Sequence, residues 1–314
     1  MHMQMITGIR QSMPGKQLNK EYIFYKKKSN FSLLSPKTKN INLYLKNTKE
    51  TWYNCVKTLE MNGFGGNMKL QRLMSLTRKA LDDYHMIEDG DKIAVGISGG
   101  KDSLALLYSL AGLRKFYPKK FTLEAITVDL GFEGFDLTEI KTLCEQLDVP
   151  YTIVKTDIAE VIFNTREETN PCSLCAKMRK GAFNEEAKRL GCNKSAYAHH
   201  KDDVIETMLM SLIYEGRFYT FSPVTYLDRM DITLIRPLLY VNEADIVGFK
   251  NLYNLPVRKN PCPADGYTKR EYAKDLIKQI NTDSPGVAER LFHAVIDGPL
   301  PAWNMNKIPT PTEE

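Results

Sequence analysis

The chain has 314 residues, 43% of them hydrophobic and 26% charged, with a formal net charge of +5. That is enough apolar material for a substantial core, while no run of about 18 apolar residues argues for a membrane span. Of the 43 basic and 38 acidic residues, 11 and 3 fall within residues 1–67, leaving 32 and 35 beyond, so bulk charge gives the larger part no general affinity for nucleic acid.

Residues 1–67 are rich in Lys, Asn and Tyr, show no helical or strand period, and end in Gly63-Phe64-Gly65-Gly66-Asn67. They read as a basic extension without fixed structure or as sequence upstream of a true start at Met68. The alternative is an RNA-holding arm centred on Lys26-Lys27-Lys28. No charged n-region and apolar run mark a secretory signal. Six cysteines with one close pair suit a reducing compartment, and a cytoplasmic protein is expected.

From Met68 the pattern changes. Leu70, Leu73, Met74, Leu76, Thr77, Leu81 and Tyr84 form an apolar stripe at helical spacing. Strands are then expected at 93–97, 121–128, 151–155, 195–199 and 233–235. Helices are expected at 103–116, 137–147, 175–190, 203–214 and 242–253, with two more at 268–280 and 285–297. This alternation predicts an α/β domain over 68–298, a doubly wound and mostly parallel sheet with C-terminal helices. A Pro-rich tail covers 299–314. Ligands of such sheets sit outside the carboxyl ends of the strands, where Ser98, Asp129 and His199-His200 fall.

Ser98-Gly99-Gly100-Lys101-Asp102-Ser103 joins the first of these strands to its helix. Two glycines bring backbone close to a ligand, and a helix N-terminus presents N–H groups to an anion. A Walker A loop would need Gly where Val95 stands and Ser or Thr where Asp102 stands. The dinucleotide fingerprint lacks its spacing and third glycine. The hexapeptide is instead similar to the SGGxDS loop of the PP-loop ATP pyrophosphatases, which cleave ATP between the α and β phosphates.

Asp129 closes the second strand and reads as a ribose or metal ligand, or as a cap of its own turn. In Ala198-His199-His200-Lys201-Asp202-Asp203, Asp203 and Glu206 have the spacing of a capping box. One of the two aspartates is then structural, and the other joins Asp102 around Mg²⁺. His199 shares the sheet edge with Ser98. The pair Cys172-Ser173-Leu174-Cys175 precedes a basic helix, and Cys262 stands in Asn260-Pro261-Cys262-Pro263. A lone C-x-x-C is ambiguous between zinc, a redox disulfide and iron–sulfur. Three thiolates without a fourth suggest a metal or cluster with one open position. Cys144 and Cys192 read as packing thiols. Lys177, Arg179, Lys180, Lys269 and Arg270 flank these cysteines and supply the basic patch that the acidic domain otherwise lacks.

SGGKDS, PCSLCAKMRKGA, AHHKDD, IRPL (Ile235-Arg236-Pro237-Leu238) and the late Cys262 occur in the same order as in the tRNA 2-thiocytidine synthetase family. The chain resembles that family over nearly all of 68–268. The resemblance implies ATP-dependent adenylation of the C2 carbonyl of cytidine 32 in tRNA, with Mg²⁺, and sulfur delivered through a [4Fe-4S] cluster on Cys172, Cys175 and Cys262. It implies that Ser98, Gly99, Gly100, Lys101, Asp102 and Ser103 hold the nucleotide and metal, with Asp129 and His199 beside it. Asp203 would be the second metal carboxylate, and the catalytic weight would fall on Asp102, Cys172 and Cys175. A sulfur donor such as a cysteine desulfurase and a homodimer are implied partners. Lys201 stands where the family carries Arg, and Tyr214-Glu215-Gly216-Arg217-Phe218 is less glycine-rich than the family pattern. Other PP-loop ligases or amidotransferases would not use three cysteines together. A non-catalytic iron–sulfur ATP sensor is the alternative from a different class.

Overall fold

A computed structural model describes residues 70–132, 134–162, 171–258, 262 and 269–303, and the strand backbones within 4–34. The chain separates into two compact units, Met1–Gly66 and Asn67–Glu314. In the first, β1 (Gln4–Thr7), β2 (Ile23–Lys27) and β3 (Asn30–Leu34) form an antiparallel sheet in that order, where the sequence reading assigns no element. The side chains of Lys26-Lys27-Lys28 and the tail from residue 304 lie outside the described residues.

The second unit opens with α1 (Leu70–Asp83), whose stripe buries Leu73, Met74, Thr77, Ala80 and Leu81. Its sheet contains β4 (Asp91–Gly96), β5 (Phe121–Asp129), β6 (Tyr151–Lys155), β7 (Lys194–Ala196), β8 (Val224–Leu227) and β9 (Ile232–Ile235), in the order β6-β5-β4-β7-β9-β8. All pairings are parallel except β8 with β9. The expected doubly wound sheet is what the chain builds. The antiparallel edge strand β8 is an addition: it is half-exposed, and Thr225 and Tyr226 interrupt its apolar pattern.

β4 is central and buried on both faces. Ile93 and Val95 enter the larger core cluster, whereas Ala94 faces the smaller one with Ile126, Phe183, Ala187 and Cys192. That alternation is the pleat of a strand covered on both sides. The helices are α2 (Lys101–Leu113), α3 (Thr138–Gln146), α4 (Pro171–Arg189), α5 (Lys201–Glu215), α6 (Glu243–Tyr253), α7 (Lys269–Asp283) and α8 (Val287–Ile296). Burial pushes the Cys144 thiol up to about 12 and the Cys192 thiol up to about 11, as packing thiols require. At the start of the sheet, buried Lys194 pairs with Asp91 at 2.7 Å and donates to the carbonyl of Met86 at 2.8 Å.

From β4 the chain winds outward through β5 to β6, then returns to place β7 on the other side of β4. The switch point therefore lies between β4 and β7, and the loops leaving these two strands border one crevice.

Most boundaries shift by one to four residues, and three differences change what an element carries. α4 begins at Pro171, not 175, because proline at a first helical position loses no hydrogen bond. Both cysteines of the pair are thus on the helix. α5 begins at Lys201, not 203. The Pro-rich stretch is also not all tail, since Pro301–Trp303 forms a short 3₁₀ turn. Trp303 is only 3% exposed, packs edge-on to Tyr84 and Phe292, and donates its indole N–H to the carbonyl of Phe221 at 3.1 Å. Trp303→Ala is expected to cost about 3–5 kcal/mol of unfolding free energy, measured by urea denaturation. A change below about 0.5 kcal/mol, the range of a surface substitution, would mark this turn as dispensable.

Candidate active site

Beyond β4 the backbone of Ile97 still donates to the carbonyl of Ile126 at 2.8 Å, holding the strand in line until the turn. The turn is braced from within. Ser103 Oγ donates to the carbonyl of Gly100 at 2.9 Å and accepts the backbone N–H of Ser98 at 3.2 Å. Gly99 takes φ +82°, open to glycine at little cost, and Gly100 caps α2 without any side-chain bond. The result is a helix N-terminus with a serine-lined approach, the geometry that receives an anion.

Beside it lies a cavity of about 440 Å³. Ser98, Gly100, Asp102 and Ser103 line one side, Asp129 closes the β5 end, and Arg179 and Lys180 of α4 face them together with His199. Gly99 and Lys101 are absent from this lining. The Lys101 ammonium instead pairs with Asp102 and Glu243, each at 3.1 Å, and Glu243 also binds Lys274 at 2.7 Å. Asp129 caps its own turn, accepting the N–H of Gly131 at 3.0 Å, and faces the cavity as well.

The capping box at α5 sits three residues earlier than the sequence suggests. His200 is the N-cap, and Asp203 accepts its backbone N–H at 3.0 Å. Glu206 serves another purpose. Arg270 bridges Asp203 and Glu206, each at 3.2 Å, so this cation of the expected basic patch ties α7 to α5. The His200 ring lies between Asp102 at 3.8 Å and Asp203 at 3.5 Å, with Asp202 at 3.6 Å. Burial lowers its pKa, but the three carboxylates outweigh burial and the net shift is upward. His199 moves the other way, to about 3, through burial first and Arg236 second, and so carries no charge at neutral pH.

Cys172 is exposed, while Cys175 and Cys262 are half-buried. Burial raises the Cys175 thiol; Arg179 opposes this, and Cys262 and Cys172 reinforce it, so each of the three thiols lies within electrostatic reach of that site. Cys175 and Arg179 are one turn apart on α4; Arg179 lines the cavity, whereas Cys172, Cys175, Cys262 and Asp203 do not. Among the described residues, no three His, Cys, Asp or Glu side chains converge as a ready-made metal cage. Lys177 is exposed on α4, and Lys269 lies 4.7 Å from the ring centre of Tyr214. Burial, together with Arg236 and Arg179, lowers the pKa of Lys180.

Three participants receive no specific role from the sequence, although His200 stands at the expected sheet edge and Arg236 in the IRPL motif. His200 is indistinguishable there from its neighbour. Arg236, 7% exposed, lies over Phe221 at 4.9 Å. Arg258 reaches the cavity from a loop after α6 that carries no motif.

A phosphate-type loop and a facing basic helix at a switch point define the class. A family profile described as the PP-loop domain matches residues 70–279. The tRNA-cytidine(32) 2-sulfurtransferase of Geobacter sulfurreducens is 35% identical over 238 residues, covering 74% of this chain and 91% of the relative. That of Pelobacter propionicus is 37% identical over 228 residues, covering 72% and 85%. The chain therefore belongs to the tRNA-cytidine(32) 2-sulfurtransferase family of PP-loop proteins, the family its motifs resemble. Among solved structures it is similar to the U34-tRNA thiolase NcsA of Methanococcus maripaludis, determined with its [4Fe-4S] cluster. The identity is 25% and the TM-score 0.60, over 73% of this chain and 80% of that one.

Glu206 offers a test of the electrostatics. Burial, then Asp203, raise its carboxyl pKa above 4.5 against the pull of Arg270. A group raised in the folded state contributes most stability below its unfolded value and loses that contribution as pH climbs through the folded one. Relative to wild type, Glu206→Gln is expected to gain urea midpoint as pH rises above 4.5 toward neutrality. A difference that stays flat over that window would contradict the raised pKa.

Proposed function

We propose that the chain is an ATP-dependent tRNA sulfurtransferase that adenylates the C2 carbonyl of cytidine 32 and replaces its oxygen with sulfur. The observation that carries this reading is the shared cavity. One side is the phosphate loop, and the other is α4, which presents Arg179 and Lys180 to the cavity and carries Cys172 and Cys175 in its first turns.

Ser98, Gly100, Ser103 and the N-terminus of α2 hold the phosphates, with Gly99 shaping the turn. Lys101 acts through Asp102, keeping that carboxylate in place. Asp129 accepts from a ribose hydroxyl. The carbonyl oxygen attacks the α phosphate and pyrophosphate leaves. The C2–O bond then breaks as sulfur adds to C2, and AMP carries the oxygen away. Holding the base oxygen in line with the α phosphate supplies much of the acceleration, and His199, neutral and packed at a tilt against Phe221 with ring centres 4.7 Å apart, forms that wall.

Asp102 Oδ1 is buried and has no hydrogen-bond partner among the described residues, a hard oxygen suited to Mg²⁺; Asp203 would be the second carboxylate, giving up Arg270 to bind the ion. Mg²⁺ would neutralise charge on the departing pyrophosphate. The three thiols suit an iron–sulfur cluster with one open iron, as Cys172, Cys175 and Cys262 supply no fourth ligand. Bound there, a [4Fe-4S] cluster would supply sulfur-transfer chemistry, replenished by a donor such as a cysteine desulfurase. Lys177, Arg179, Lys180 and Lys269 attract the tRNA backbone, and a base splayed from a single-stranded loop enters with little unstacking. Among the described residues no helix is long and apolar enough to cross a membrane.

Nucleoside analysis of tRNA from a deletion strain tests the reading. 2-Thiocytidine is expected to vanish, to return with the wild-type chain, and to stay absent with Asp102→Asn or Cys175→Ser. Unchanged 2-thiocytidine in the deletion strain would refute the assignment. Purified Asp102→Asn is expected to release pyrophosphate at least about 10²-fold more slowly. Anaerobically purified Cys175→Ser is expected to lose iron and acid-labile sulfide while retaining ATP binding.

A further inference from the structure

Arg258 follows α6 and stands four residues before Cys262. Its backbone N–H donates to the carbonyl of Gly99 at 2.9 Å, stitching this segment to the phosphate loop. The approach is close: a Cβ placed on Gly99 would lie 3.4 Å from that of Arg258. The Arg258 side chain lines the same cavity as Ser98, Gly100, Asp102 and Ser103.

Its present partners hold it weakly. Nη2 lies 3.0 Å from Glu139 and 3.8 Å from Asp136, and both carboxylate side chains are 63% exposed. Ion pairs to carboxylates so open to solvent are screened and contribute little. Nε is buried and has no hydrogen-bond partner among the described residues. An arginine fork with one unused donor, at the wall of a cavity built around a phosphate loop, is short of a multivalent oxyanion. The loop's own cation does not fill that role, since Lys101 is taken up by Asp102 and Glu243.

We propose that Arg258 binds the β or γ phosphate of ATP, exchanging Glu139 for phosphate oxygens when the triphosphate enters. The assignment rests on the reading that the loop binds ATP. It makes the segment leading to Cys262 a reporter of what the loop holds. With triphosphate bound, side chain and backbone of Arg258 grip ligand and loop together. Once pyrophosphate has left, the guanidinium is free to return to Glu139.

Calorimetric titration of the full chain with α,β-methylene-ATP and with AMP tests this. Arg258→Met is expected to weaken the triphosphate analogue about tenfold or more, equal to about 1.4 kcal/mol, and to change AMP less than about twofold. Arg258→Lys, which keeps the charge without the fork, is expected to fall between. Glu139→Gln, which removes the competing carboxylate, is expected to tighten the analogue. Equal losses for both nucleotides in Arg258→Met, wild-type affinity for both, or weaker analogue binding in Glu139→Gln would each overturn the assignment. A wild-type chain that binds neither nucleotide would refute the ATP reading and this proposal together. Wild-type binding with no effect at residue 258 would refute the proposal alone.

Discussion

Gly99 holds φ +82° between a strand buried on both faces and a helix whose N-terminus has no side-chain cap. Much of the site follows from that turn. It lets β4 stop and α2 start within a few residues, so the α2 N–H groups open onto the crevice between β4 and β7. It also turns the Gly99 carbonyl toward the Arg258 N–H, bringing in a segment remote in sequence. An L-residue there would be strained by the backbone alone.

Around this turn, charges are handled locally. The domain is slightly acidic, yet Arg179, Lys180 and Arg258 meet Asp102 and Asp129 at one cavity, and further acidic groups collect around Asp102. There His200 lies among Asp102, Asp202 and Asp203, and Arg270 satisfies Asp203 and Glu206. A buried carboxylate is costly when unpaired, and α7 is held to α5 by the arginine that prevents this. The helix after Cys262 is thereby anchored to the helix that carries Asp203.

What was legible in the sequence is what local physics dictates. A central strand covered on both faces must be continuously apolar, and Ile93-Ala94-Val95-Gly96-Ile97 shows it. A phosphate turn needs its glycines and serines side by side, and residues 98–103 show them. What escaped was set by distant contacts or weak patterns. β8 is a short, half-exposed edge, so burial imposed no clear alternation on it. Pro171 lies ahead of the expected helix and Pro301 in the expected tail, although one opens a helix and the other a turn. His200 and Arg258 gain their roles from neighbours roughly 100 to 160 residues away in sequence, visible only when the sheet is assembled.

The edge-on contact of Tyr84 with Trp303 closes the second unit across nearly its whole described length. Tyr84 follows the first helix of that unit, yet its aromatic neighbour is the last described turn. During synthesis α1 and β4 leave the ribosome long before Trp303 exists, and until then the apolar surface around Tyr84 and Phe292 lacks its cover. Such long-range closure favours slow, late consolidation of the native state. A nascent chain halted short of residue 303 would present that bare aromatic surface to chaperones.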